Sequence, residues 1–127
     1  LGILAAVAIP RYANTLTRAE VSAEKAFVSQ IWAGCEEEAS VRLIENGIEE
    51  WPYNPLTVLK RTRNVIVTLT LGLPDTDNEW QFALNSGDGV VTVPAIYHQR
   101  RGDDLYYYTY DSTNFDLAET PILYQPN

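Results

Sequence analysis

The stretch that decides the fold is the start of the chain, LGILAAVAIPRYANT at residues 1–15. Every residue from Leu1 to Ile9 is apolar or glycine, and Pro10 and Arg11 follow. A helix that is hydrophobic on every side must be buried in protein or lipid. This run is shorter than the roughly 20 apolar residues that a membrane-spanning helix needs. The stretch therefore predicts a helix whose beginning is covered by something other than the domain that follows it.

The helical pattern continues to residue 46. Its main apolar stripe recurs every three or four residues and contains Val28, Trp32, Cys35, Ala39 and Leu43. This spacing is typical of a helix face that packs on a sheet. Charged residues occupy the other faces, namely Glu20, Glu24, Lys25, Glu36, Glu37 and Arg42.

Three local signals describe the course of this helix. Asn46-Gly47 predicts its end, because glycine readily adopts the left-handed conformation just past a helix. Pro10 lacks a backbone donor, so a kink or local unwinding is expected near Ala6–Pro10. Residues 17–20 match a capping box that permits a break near residues 14–17, although we favour a continuous helix.

The remainder of the chain reads as a connector followed by strands. Two Pro-containing pairs interrupt residues 48–63, and one short helical turn is expected at 55–59. Strand periodicity is present at 64–71, 79–85, 89–98 and 104–111, with turn residues between these segments. Pro94 indicates an edge position or a bulge, and the residues after Tyr110 are expected to form an irregular tail.

The order of elements predicts an α+β fold, a long N-terminal helix packed on a three- or four-stranded antiparallel sheet. We divide the chain into a protruding apolar helical segment, residues 1–26, and a globular domain, residues 27–127. The net charge of −8 argues against nucleic-acid binding, because phosphate repels an acidic chain. A nucleophilic pair of Cys35 and His98 lacks an orienting motif, so no enzyme is predicted and Cys35 is interpreted as a buried small hydrophobe.

GILAAVAIPRY at residues 2–12 resembles the second half of the N-terminal signature of type IV pilins and type II secretion pseudopilins. The matching positions are Ala5, Ala6, Ala8, Ile9, Pro10, Arg11 and Tyr12. The long amphipathic helix and the antiparallel sheet that follow are also shared with that family. A looser similarity to certain minor pilins and pseudopilins covers residues 54–97.

The resemblance implies that the mature chain begins about a dozen residues before Leu1, since the family's phenylalanine and glutamate are missing here. It implies a structural subunit of a type IV pilus or pilus-like filament, first held in the inner membrane and then packed with copies of itself or related pilins. The alternative is a minor pilin or pseudopilin that acts at the tip in assembly initiation, adhesion or DNA uptake. The resemblance also implies that Gly2, Ala5, Ala6, Ala8, Ile9 and Pro10 are filament-core residues. The glycine and alanines among them would allow close helix packing.

Three further groups of residues were weighed as sites. Asp75, Asp77, Asn78 and Glu79 have oxygen ligands at calcium-like spacing, but they lack the EF-hand glycine and distal glutamate, and a solvated turn is preferred. The basic cluster Lys60, Arg61 and Arg63 is interpreted as a solvated loop or as a partner for an acidic neighbouring subunit. A tyrosine stripe at 106–110 suits a strand with one core face and one surface face. From it, Tyr106 and Tyr108 are predicted to belong to a subunit or ligand surface.

Overall fold

The structure is a computed structural model that describes residues 18–59, 65, 73–102 and 104–126 with their side chains, and residues 2–17 and Ile66 by their backbone. Helix α1 spans Gly2–Asn46, and a 3-10 turn spans Pro55–Val58. The described strands are β1 Val65–Ile66, β2 Trp80–Ala83, β3 Ala95–Gln99, β4 Leu105–Asp111, β5 Asp116–Leu117 and β6 Ile122–Leu123.

The fold is α+β, as predicted, with β2, β3 and β4 forming an antiparallel centre. Two differences extend the predicted sheet. The segment after Tyr110 is not wholly irregular, because β5 and β6 both pair antiparallel with β4. Strand β1 pairs with β2 in parallel rather than antiparallel orientation. Most of the predicted strand at 64–71 lies outside the described residues.

Helix α1 is continuous from Gly2 to Asn46. The backbone remains helical through Pro10, so the expected local unwinding is not found, whereas the kink stays a prediction. The predicted end of the helix is confirmed: Gly47 has a φ of 77° and its N–H donates to the carbonyl of Leu43 at 2.9 Å. Glycine reaches this left-handed conformation without the steric cost that a Cβ imposes.

The face of α1 that packs on the sheet is largely the predicted one. Val28, Cys35 and Ala39 are buried, and Ile31, which the predicted stripe omitted, is also fully buried. Trp32 is half-buried, and its ring packs edge-on against Trp51. Leu43 is 45% exposed and was wrongly assigned to the core, because it lies one turn beyond Ala39, the last buried residue of the helix.

The 3-10 turn is held against the helix by a close approach at Gly34. A Cβ added at Gly34 would lie 2.5 Å from Cγ2 of Val58, closer than side chains pack. The turn itself begins at Asn54, whose side chain accepts a hydrogen bond from the N–H of Leu56 at 2.9 Å. This confirms the short helical turn predicted from the sequence.

Strand β3 is shorter than the predicted strand at 89–98, because it begins only after Pro94. Before Pro94, the backbone of Val91 is hydrogen-bonded to Ser86 instead of to a neighbouring strand. The N–H of Ser86 donates to the carbonyl of Val91, and the hydroxyl of Ser86 accepts from the N–H of Val91. Asp88 also accepts from the N–H of Val90. These local hydrogen bonds compete with strand pairing, as short polar side chains commonly do.

The central sheet has two buried faces. One face packs on α1 and contains Trp80, Phe82, Ile96 and Tyr108. The opposite face forms a second apolar cluster of Ala83, Val91, Ala95 and Tyr97, covered in part by residues of β4 and of the C-terminal segment. Because successive side chains of a strand point to opposite faces, each strand contributes to both clusters.

Candidate functional site

A buried polar network joins α1 to the sheet where the helix first meets it. Glu24 is 1% exposed and is the first buried residue along the described part of α1. Its Oε2 accepts a hydrogen bond from Arg100 Nε at 2.7 Å and lies 2.6 Å from His98 Nδ1. Its Oε1 accepts from Arg100 Nη2 at 2.8 Å and from the Tyr108 hydroxyl at 2.9 Å. We call Glu24, His98, Arg100 and Tyr108 the Glu24 network.

The charge of Glu24 is stabilised by its partners. Burial acts to raise the pKa of Glu24, but the hydrogen bonds from Arg100, His98 and Tyr108 outweigh it and lower the pKa to about 2. The same contact with Glu24 raises the pKa of Arg100. Burial first, and then the hydrogen bond to Glu24, raises the pKa of Tyr108. Glu24 is therefore an ionised buried carboxylate with both oxygens hydrogen-bonded.

Aromatic rings enclose the network. The imidazole of His98 stacks on Trp80 with ring centroids 4.1 Å apart, and Trp80 stacks in turn on Phe27 of the helix. The guanidinium of Arg100 lies 3.6 Å from the centroid of the Tyr106 ring. The second ring nitrogen of His98 is 3.1 Å from Asn78 Oδ1. Apolar enclosure strengthens these electrostatic contacts by excluding water.

The sequence analysis placed Glu24 outside the packed stripe, and this was wrong. Glu24 lies one helical turn before Val28, so the spacing of the buried stripe includes it. Its partners are contributed by β3, the turn after β3, and β4, at separations of 74, 76 and 84 residues. A charged residue in line with an apolar stripe was the available signal, but no local pattern identified those partners.

The residues weighed as weak calcium candidates do not converge on one point. Asp75 contacts Thr76, Asp77 accepts from Gln99 Nε2 at 3.4 Å, and Asn78 turns towards His98. Among the described residues, no group of three or more His, Cys, Asp and Glu side chains is placed to hold a metal ion. Asn78 has a φ of 66°, which fits the solvated turn that the sequence analysis preferred.

Two predicted groups fall outside the side chains that the structure describes. The basic cluster Lys60, Arg61 and Arg63 lies in the segment 60–64, which is not described. The filament-core residues Gly2, Ala5, Ala6, Ala8, Ile9 and Pro10 are described only as helical backbone. Their roles stay predictions.

The division of the tyrosine stripe into buried and surface residues differs from the prediction. Tyr108 is 1% exposed and hydrogen-bonded to Glu24, so it does not belong to an outer surface of this domain. Tyr110 is also buried, and its hydroxyl donates to the carbonyl of Pro52. Tyr106 lies half-buried beside Arg100. The face towards α1 is buried because the helix covers it.

Cys35 is fully buried and free, as predicted. Burial raises the pKa of its thiol to about 11, so almost none of it is thiolate at neutral pH. His98 belongs instead to the Glu24 network and lies on a strand beside an earlier part of the helix. Cys35 and His98 therefore have separate surroundings.

The solvent face of α1 carries small side chains at the spacing of a helix-packing stripe. The stripe consists of Ala19, Ser22, Ala26, Ser29 and Ala33, alternately three and four residues apart, and every member is exposed. Such spacing places all five on one side of a helix, where small residues permit close approach of another helix.

A cleft of about 580 Å³ lies on the side of the sheet near the 3-10 turn, and its lining includes Tyr53, Phe82, Leu84, Val93, Tyr110 and Asp116. Tyr53 is 62% exposed and Val93 46% exposed. The cleft thus combines exposed apolar side chains with carboxylates, and its volume is in the range of small-ligand sites.

Within the part of the chain that the structure describes, no helix combines the length and hydropathy that crossing a membrane requires. The fold and its polar network define an α+β domain with a long helix laid across an antiparallel sheet. Comparison with protein-family models, with curated proteins and with solved structures found no match for this chain.

Proposed function

We propose that this protein is a structural subunit of a type IV pilus or a pilus-like filament that assembles through its N-terminal helix. The observation that carries the proposal is the continuous helix from Gly2 to Asn46. The first hydrogen bond described between the helix side chains and the strand region is at Glu20, whose carboxylate accepts from the N–H of Arg101 in the turn after β3 at 3.1 Å. The apolar helical segment that precedes Glu20 is the part that the proposal assigns to the inner membrane before assembly and to the filament core afterwards.

The exposed small residues of α1 support this function. Ala19, Ser22 and Ala26 continue, beyond Pro10, the preference for small side chains that begins at Gly2. Helices that pack closely in apolar surroundings use such residues, because the gain there comes from contact between backbones. Subunits repeated along a screw axis make head-to-tail contacts that do not close, which produces a filament rather than a ring.

The proposal is tested in the organism that carries the gene. An antibody against residues 27–127 is used for immunogold labelling of cells and of surface filaments released by shear. We expect gold particles along the shaft of the filaments. Filaments that form without this chain, or a chain that never enters the sheared fraction, would contradict the proposal.

Two charge-introducing substitutions give the test its control. Ala8→Lys places a cation in the proposed filament core, where burial of an unpaired charge is costly. Thr92→Lys places the same charge on an exposed loop. We expect Ala8→Lys to abolish filament labelling while the protein is still detected in cells, and Thr92→Lys to leave labelling unchanged.

A second candidate function is a minor subunit that binds a ligand at the filament tip. The cleft beside Tyr53 favours it, because exposed apolar residues around a cleft are typical of binding sites. The same labelling separates the two functions: gold confined to filament ends indicates the tip subunit, and gold along the shaft indicates the major one.

A further inference from the structure

We propose that the Glu24 network fixes the direction in which α1 leaves the sheet, so that Glu24 is a positioning residue for the N-terminal part of the helix. The network lies where this direction is decided. No residue from Arg18 to Ala23 is buried, and Glu24 is the first that is. Between Arg18 and Ala23, Glu20 and Val21 are half-buried and the other residues are exposed, and Glu20 accepts a hydrogen bond from the turn after β3.

The Glu24 network is suited to fixing the direction of α1 because the partners of Glu24 belong to different parts of the sheet region. His98 belongs to β3, Arg100 to the turn after it, and Tyr108 to β4. Hydrogen bonds are directional and weaken steeply away from their preferred geometry. Three donors from different positions therefore restrict the movement of the Glu24 carboxylate more than one donor could.

Apolar packing at the same end of the helix is less specific. Phe27 and Trp80 stack with their planes 22° apart and their centroids at 4.1 Å. Hydrophobic burial is non-directional, and two nearly parallel rings keep contact when one slides over the other. Packing of this kind favours contact between helix and sheet without choosing an angle for the helix.

A second carboxylate reinforces the first one turn earlier. Glu20 accepts a hydrogen bond from the backbone N–H of Arg101, the residue after Arg100. Glu20 and Glu24 are four residues apart and so lie on the same side of the helix. Together they attach two successive turns of α1 to one short segment, residues 98–101, which resists rotation of the helix about a single point.

The effect of the network on the direction of the helix can be separated from its effect on stability. Replacing buried ion pairs with apolar side chains of similar volume is often neutral for stability or stabilising, whereas removal of one partner is strongly destabilising. This difference allows direction and stability to be measured separately. The direction of the helix is a property of one subunit, so it is tested independently of the filament proposal.

The experiment measures the distance between α1 and the sheet by double electron–electron resonance, using the full chain in detergent micelles. Spin labels are attached at Arg18→Cys and Thr92→Cys, both exposed positions. The native Cys35 is fully buried, so we expect it not to react with the spin label. We expect one narrow distance distribution for the otherwise unaltered chain and for the control Glu37→Gln, which changes an exposed glutamate of the same helix.

Two variants test the network. Glu24→Gln removes the charge, and the combined variant Glu24→Leu, His98→Leu and Arg100→Leu replaces the whole ionic group with apolar side chains. We expect each distribution to become broader by about twofold or more, because the directional partners are lost. The combined variant is expected to have the circular dichroism spectrum of the unaltered chain, which would show that it folds. If Glu24→Gln fails to fold, the distance distribution of the combined variant alone tests whether the network sets the direction of the helix.

Two results would overturn the proposal. A folded combined variant with the narrow distribution of the unaltered chain would show that apolar packing sets the direction. A combined variant that fails to fold would show that the network is needed for the fold itself, and would remove the distinction between direction and stability.

Discussion

The two faces of the central sheet bury polar groups in opposite ways. On the face towards α1, the carboxylate of Glu24 is surrounded by donors from His98, Arg100 and Tyr108. On the other face, the hydroxyl of Tyr97 is buried and has no hydrogen-bond partner among the described residues. Tyr97 is nonetheless as well packed as Tyr108, with 0% and 1% exposure respectively.

The difference between Glu24 and Tyr97 shows that a polar group can be buried with or without hydrogen-bond partners. A buried charge is tolerated when donors surround it, while an unpaired hydroxyl costs about 1–3 kcal/mol even though it carries no charge. Both faces are packed with apolar side chains, but the face towards α1 pairs its buried polar group and the opposite face leaves one without a described partner. Each of the following substitutions changes one side of this comparison.

The largest effect is expected when Glu24 alone is made apolar. Glu24→Leu leaves His98 and Arg100 at the helix–sheet junction without their common partner, and should lower the free energy of unfolding by about 3–5 kcal/mol. Urea unfolding followed by tryptophan fluorescence measures the change. The matched variant Glu37→Leu, at an exposed position of the same helix, should change it by less than about 0.5 kcal/mol. Equal losses in both variants would show that Glu24 is not specially placed.

The next effect is the response to acid. Glu24 has its pKa lowered from 4.5 to about 2 in the folded protein, so its contribution is present above pH 4.5 and is lost as the pH falls towards 2. The shift corresponds to about 3 kcal/mol of stability. Unfolding free energies measured between pH 6 and pH 2 should fall by that amount through this group, and Glu24→Gln should lack this part of the fall. If the unfolding free energy of Glu24→Gln fell with pH as much as that of the unaltered chain, titration of Glu24 would not be a cause of the fall.

A smaller loss is expected for Tyr108→Phe. The ring remains in the core, and Glu24 keeps its contacts with Arg100 and His98. Only one hydrogen bond to a charged group is removed, which costs about 1.5–3 kcal/mol. The same urea measurement detects the loss, and an unfolding free energy equal to that of the unaltered chain would contradict the hydrogen bond.

The smallest effect has the opposite sign. Tyr97→Phe removes a buried hydroxyl that has no partner in the described part of the chain, so it should leave stability unchanged or raise it by up to about 1 kcal/mol. The substitution is chemically identical to Tyr108→Phe and lies on the neighbouring strand. A loss for Tyr97→Phe as large as that for Tyr108→Phe would mean that the two faces do not differ in the way described.

The fold was predictable because its main signals are local. The stripe through Val28, Cys35 and Ala39 and the glycine at 47 were sufficient for the helix and its end, and alternation of side chains indicated β2 and β4. The parallel pairing of β1 and the addition of β5 and β6 were missed. Strands β5 and β6 have two residues each and so carry almost no periodicity, and the partner and direction of a strand such as β1 are chosen by the rest of the sheet.

The candidate site was less predictable. Tyr108 was assigned to a surface, since a strand of tyrosines does not itself reveal which face a helix will cover. Gly34 gave no sign of its contact with Val58, because a glycine within a helix has no side chain whose spacing can be interpreted. Glu24 was predicted to be solvated because glutamate is rarely buried unless it is paired. The sequence around Glu24 does not show the partners that make its burial possible.

By itself the sequence determined the long helix, its end at Gly47, the α+β order of elements and the burial of Cys35, because each depends on residue types and spacings within one segment. Only the tertiary structure decided which polar groups are buried and paired. Glu24 meets donors up to 84 residues away along the chain, and the Tyr97 hydroxyl meets no partner within the residues that the structure describes. The free energy of a buried polar group depends on the neighbours that folding brings to it, and no local stretch of sequence contains them.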